Sequence, residues 1–70
     1  MTDWNLVRFG ARLRSIRQSR GISQEEMSAQ LNIDRSYYGG IERGQRNPSM
    51  KLFFALAAAL HLSPSEVLDE

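Results

Sequence analysis

Apolar residues along this chain return every three or four positions, in short blocks set apart by polar and glycine punctuation. No segment sustains the period-two alternation of a strand. Phe9, Leu13 and Ile16 recur at helical spacing, with Asp3 or Asn5 in place to cap the helix and Gly21 to stop it. Ser23-Gln24-Glu25-Glu26 reads as a capping box, in which the serine takes the N3 amide and Glu26 reaches back. The helix it opens runs through Met27 to Leu31 and ends at Asn32, which tolerates a left-handed backbone. Asp34 is the N-cap of a third helix that turns Tyr38 and Ile41 inward and ends at Gly44. Pro48-Ser49 opens a fourth, over roughly residues 50–61, with His61 an ordinary helix-end residue. Ser63-Pro64-Ser65-Glu66 is a second capping box, with proline at the first helical position of a short fifth helix. Five helices with short connections predict an all-α, compact five-helix bundle, a single domain over residues 1–70, with Trp4 as a cap on the core.

Composition narrows the chemistry. Seventy residues support one domain, and such a domain buries only about 60% of the surface its unfolded chain exposes. The chain has no cysteine and one histidine, so a disulfide framework, a thiolate site and a histidine cluster are all excluded. The reading is no metal, no cofactor, no catalytic constellation and hence no enzyme. The longest apolar run, residues 52–60, is too short for a bilayer, and residues 1–5 carry an acid where a signal peptide carries positive charge. The expectation is a soluble cytoplasmic protein, prokaryotic or phage-like, with no membrane partner.

The net charge of +1 is mild, but its distribution is not. Residues 1–21 hold Arg8, Arg12, Arg14, Arg17 and Arg20 against Asp3; residues 22–46 hold Arg35, Arg43 and Arg46 against four acids; the last third is acidic. Every cation but Lys51 is arginine, whose planar fork suits phosphate and guanine. An acidic C-terminal end repels DNA, so a DNA face is expected away from residues 66–70.

The second and third helices are joined by about three residues, the geometry of a helix-turn-helix over about residues 23–43. Met27, Leu31, Tyr38 and Ile41 face inward, small Ser28 lies where the helices pack closest, Asn32 makes the turn and Ile33 plugs it from beneath. A plain helical hairpin would not need those particular types at 28, 32 and 33. The stretches Gly21 to Met27, Leu31 to Tyr37 and Ile41-Glu42-Arg43-Gly44-Gln45-Arg46-Asn47-Pro48-Ser49 resemble the Xre/Cro-type helix-turn-helix regulators. Asp34-Arg35-Ser36-Tyr37 is similar to the controller proteins of restriction–modification systems. The resemblance covers about residues 8–68. It implies a lambda-repressor-like DNA-binding domain, a homodimer and a sequence-specific operator in double-stranded DNA. Serine at 28 and asparagine at 32 depart from the family's commoner alanine and glycine, and Gly39-Gly40 weakens the third helix.

In that fold the third helix enters the major groove and its N-terminal half meets base edges. Arg35, Ser36, Tyr37, Gly39 and Gly40 are then the base-reading positions, with Arg35 able to bond guanine O6 and N7 together. Gln24 and the group Arg43, Arg46 and Asn47 are placed to hold phosphates, which position a protein without specifying sequence. The resemblance implies a buried ion pair between Arg17 and Glu42. The fourth helix is apolar nearly all round: Phe53, Leu56, Ala57 and Leu60 suffice for the core, leaving Phe54, Ala55 and Ala58 on a second face. That face predicts a dimer surface within residues 50–70, from Phe54, Ala58, Leu62, Val67 and Leu68. The function expected is a homodimeric transcriptional regulator of a palindromic operator. The alternatives are an antitoxin-type regulator that also holds a partner protein, or a protein–protein adaptor that kept the fold without DNA.

Overall fold

Short polar side chains start the helices, and left-handed residues stop them. The computed structural model describes residues 5–68, and among these five helices follow in order: α1 (Leu6–Ser19), α2 (Gln24–Leu31), α3 (Arg35–Glu42), α4 (Met50–Ala59) and α5 (Pro64–Leu68). Asp3 and Trp4 lie outside the described residues, and the cap of α1 is Asn5, whose Oδ1 accepts from the Arg8 N–H at 2.9 Å. Ser23 and Glu26 exchange both bonds of the capping box on α2, at 3.0 and 2.9 Å. Asp34 accepts from the Ser36 and Tyr37 amides at the start of α3, and Ser49 from Leu52 at the start of α4. Ser63 and Glu66 repeat the box on α5.

Gly21, Asn32, Gly44 and His61 all have positive φ, and each follows the last turn of a helix. The bonding at all four sites is the same. The left-handed residue donates to the carbonyl three back and the next residue to the carbonyl five back: Gly21 to Gln18 and Ile22 to Arg17, Asn32 to Ala29 and Ile33 to Ser28, Gly44 to Ile41 and Gln45 to Gly40, His61 to Ala58 and Leu62 to Ala57. These pairs satisfy carbonyls that a helix end would otherwise strand. In three of the four the next residue is Ile22, Ile33 or Leu62, each packed against the core. His61 is therefore the reversal after α4, and the helix closes at Ala59 rather than running to 61.

The core draws on every helix: Phe9 and Leu13 of α1, Met27 of α2, Tyr38 and Ile41 of α3, Leu56 and Ala57 of α4 with Leu60 just beyond it, and Val67 of α5. Each large apolar side chain so buried contributes roughly 1.5–3 kcal/mol. Val67 corrects the sequence expectation. It is completely enclosed in its own protomer's core, because α5 folds back against α1 and α4, and it has no surface to offer a second chain.

Where α1 crosses the end of α3, the backbones touch. A methyl group at Gly10 would lie 2.4 Å from the Glu42 carbonyl oxygen and 2.5 Å from that of Ile41. No side chain fits there, so Gly10 fixes how closely α1 approaches α3. Arg12, also on α1, donates from Nε to the Val67 carbonyl at 3.0 Å and from Nη2 to the Glu66 carbonyl at 2.7 Å. It thereby caps α5, with a cation at the negative end of that helix.

Candidate nucleic-acid interface

The third helix is held from behind by a buried polar cluster centred on Glu42. Arg17 of α1 reaches it with a forked contact, Nε to Oε2 at 2.6 Å and Nη2 to Oε1 at 3.0 Å. Its remaining nitrogen, Nη1, donates to the Ile22 carbonyl at 2.7 Å. The Tyr38 hydroxyl, one turn before Glu42, donates to Oε2 at 2.5 Å, and Gln24 Nε2 of α2 donates to Oε1 at 2.9 Å. The Arg17 and Glu42 side chains are only 8% and 2% exposed. Burial by itself pushes the Glu42 carboxyl up, but the donors from Arg17, Tyr38 and Gln24 outweigh it and hold the group below the ordinary glutamate range. The bond to Glu42 raises Arg17 further, and burial, with the same carboxylate, pushes Tyr38 above the ordinary phenol range. The cluster is charged, neutralised internally and fully bonded, the condition under which buried charge is tolerated. It joins α1, α2 and α3, so the helix-turn-helix is locked to the rest of the bundle through one carboxylate.

On the outer side, Arg35 and Ser36 are exposed at the start of α3, with Tyr37 half-buried beside them. Arg35 lies 3.9 Å from Glu25 in a solvent-facing pair, a contact worth little. Ser36 donates its hydroxyl hydrogen to Asp34, so it meets a ligand as an acceptor unless that bond is exchanged; the same bond, with the Tyr37 and Ser36 amides, lowers the Asp34 carboxyl. Gln24, assigned to a phosphate by sequence, spends one amide hydrogen on Glu42. It is oriented by the buried cluster rather than free. Arg43, Arg46 and Asn47 are exposed after and at the end of α3, and Arg43 Nε donates to Gln45 Oε1 at 3.0 Å.

Gly39 and Gly40 do not lie open as base-reading positions. Both are buried; Arg43 and Arg46 lie over them, with Gln24 Oε1 also 3.7 Å from a methyl placed at Gly39. A methyl at Gly39 would meet Arg43 Nη1 at 3.0 Å, and one at Gly40 would meet Arg46 Cγ at 2.7 Å. Long side chains on a helix lean back over the preceding turn, and Arg43 leans over Gly39. On α1, Arg17 bonds Glu42, the pair that the sequence resemblance implies, and Arg12 bonds the α5 carbonyls, so neither guanidinium is free for another partner. The signals for these roles were present but weak: Tyr38 and Glu42 at helical spacing, and a lone glycine inside the α1 pattern.

On α4, Phe54 is 50% exposed and Met50 66%. Ala58 is exposed, Leu62 half-buried and Leu68 exposed. The Phe54 ring is tilted against Phe53, with ring centroids 5.7 Å apart. Among the described residues there is no cluster of three or more potential metal ligands, and no helix is long and apolar enough to cross a membrane.

A capped pair of short helices, the second presenting arginine and serine at its exposed start, defines a helix-turn-helix DNA-binding module. A helix-turn-helix family model matches residues 13–67, and the chain belongs to that family of DNA-binding transcriptional regulators, of Xre type. Among its relatives is the control protein C.MunI of Mycoplasma sp, 37% identical over 65 residues that cover 91% of this chain and 88% of that one. The crystal structure of the restriction–modification controller protein C.AhdI from Aeromonas hydrophila superposes with a TM-score of 0.85 at 50% identity, covering 89% of this chain and 94% of that one. The biofilm master regulator SinR, solved in complex with DNA, superposes with a TM-score of 0.79 at 31% identity, over 87% of this chain and 98% of that one.

Proposed function

We propose that this chain is a homodimeric, sequence-specific regulator that places α3 in the major groove of a palindromic operator. Arg35, Ser36 and Tyr37 read bases, with Arg35 paired to guanine. Gln24, Arg43, Arg46 and Asn47 hold phosphates on either side. The observation that carries this reading is the exposed start of α3, where Arg35 and Ser36 project from a helix whose other face is locked by the Glu42 cluster. The likeness to SinR in complex with DNA and to restriction–modification controllers supports it. The dimer rests on the apolar surface of Phe54, Ala58 and Leu68, which are exposed in the single chain, with the uncovered part of half-buried Leu62. A two-fold dimer sets its two recognition helices about one turn of DNA apart, so half-sites are centred ~10 bp apart or a multiple of it.

Selection of bound sequences from random duplex DNA, followed by footprinting, tests the proposal. The expected product is a two-fold symmetric motif whose binding weakens steeply with salt. Arg35→Ala then costs ~1–3 kcal/mol of specific binding and relaxes one base pair per half-site. A single asymmetric half-site refutes the dimeric operator. No enriched sequence at all refutes DNA readout and turns the reading to a protein adaptor.

A further inference from the structure

We propose that Gly39 and Gly40 are positioning residues: their missing side chains form the seat on which Arg43 and Arg46 lie, and that seat aims both guanidinium groups at DNA. The inference rests on the DNA-binding reading above. Residues 35, 39 and 43 follow one another at helical spacing along one stripe of α3. The middle of that stripe is empty because residue 39 has no side chain, and the Arg43 guanidinium occupies the gap. Its Nη1 stands 3.0 Å from where a Gly39 methyl would be, and its Nη2 stands 3.9 Å from where a Gly40 methyl would be. Gln45 holds the Nε of the same group at 3.0 Å. Arg43 is thereby laid back one turn toward Arg35 instead of projecting from the end of the helix.

Arg46 is seated twice. Its amide and that of Gln45 both donate to the Gly40 carbonyl, at 3.2 and 2.8 Å. Its aliphatic stem crosses the face of Gly40, with Cγ 2.7 Å and Cβ 3.6 Å from a methyl placed there. The clash at Gly40 is with Cγ, next to the root of the side chain, while Cβ is in ordinary contact, so a methyl there must swing the rest of Arg46 about its first side-chain torsion. The clash at Gly39 involves a mobile guanidinium tip and is milder. Two adjacent glycines weaken a helix relative to alanine, a cost retained here as room for two arginines.

A pair of double-mutant cycles tests this on the full chain, using the operator duplex obtained by selection and binding titrations at several salt concentrations, with melting temperatures recorded for every variant. Gly40→Ala is expected to melt no lower than wild type, to weaken operator binding as much as Arg46→Ala, and to lower the log–log salt slope by about one, the loss of one phosphate contact. In an Arg46→Ala background it should cost no further binding. Gly39→Ala and Arg43→Ala form the second cycle, with the same pattern and a smaller loss. Wild-type affinity and salt slope in Gly40→Ala would overturn the proposal, as would an equal loss with and without Arg46, which would mean that DNA approaches the glycine backbone itself. A wild-type chain that binds no duplex sinks the parent reading, whereas wild-type binding with an indifferent Gly40→Ala sinks only this one.

Discussion

Replacing Arg17 with methionine removes the charge while keeping most of the stem, and it isolates what the Glu42 cluster contributes. The variant takes two of four side-chain donor contacts from a carboxylate that is 2% exposed, and it also strips the Ile22 carbonyl of its 2.7 Å partner. Breaking one side of a buried pair costs about 3–5 kcal/mol, because the other charge is left in a poorly solvated place. A domain of this length has only roughly 4–10 kcal/mol in all, at 0.05–0.15 kcal/mol per residue. At about 4–8 °C per kcal/mol for a domain of this size, the melting temperature should fall by ~12–40 °C. The pH dependence should also change. In the wild type the folded-state Glu42 lies below its ordinary value of 4.5. Its contribution is therefore fully present above that value and is lost as pH falls through the lower folded value. Without Arg17, burial is opposed only by the Tyr38 and Gln24 donors, so the folded-state carboxyl rises relative to wild type. The variant then gains stability relative to wild type as pH is lowered from neutrality, because protonation relieves the stranded charge. Thermal melts by circular dichroism between pH 4 and pH 8, on the order of half-unit steps, measure both effects. A melting temperature within a few degrees of wild type, or parallel pH profiles for the two proteins, would refute the role assigned to the cluster.

Gly10→Ala should destabilise by about 2 kcal/mol, because a clash with backbone puts the overpacking cost at the upper end, ~3, against ~1 regained in helix propensity; a melting temperature at or above wild type would show that α1 can retreat from α3 freely. His61→Gly should stabilise by ~1 kcal/mol by removing a side chain from a left-handed position, and an unchanged or lowered melt would contradict that. Phe54→Glu should leave the melting of the protomer fold intact while sedimentation shows monomers and operator binding collapses; a wild-type chain that itself sediments as a monomer in the micromolar range would end the dimer reading.

The local pattern of the sequence determined every helix. Capping boxes at Ser23 and Ser63, the Asp34 cap, and the stops at Gly21, Asn32 and Gly44 are decided by side chains within three or four residues of the backbone groups they satisfy, so they can be read along the chain. The inward stripe of Phe9, Leu13, Met27, Tyr38, Ile41 and Leu56 follows from helical spacing, because one face of each helix must leave water. What crosses between helices was decided by tertiary structure alone. Nothing local separates half-buried Arg12 and buried Arg17, both bonded within the fold, from the exposed arginines of α3 and its following loop; only the approach of the α5 carbonyls and of Glu42 does so. The place of Gln24 in that cluster has the same origin. Val67 and Leu68 are adjacent and equally apolar, yet the fold puts one in the core and the other outside. Gly10, Gly39 and Gly40 look alike as helix-weakening residues. Their meanings differ because a glycine's function lies in what fills the space it leaves: a crossing backbone at the first, arginine side chains at the others. That neighbour is set by the packing of the whole bundle, which no window of residues contains.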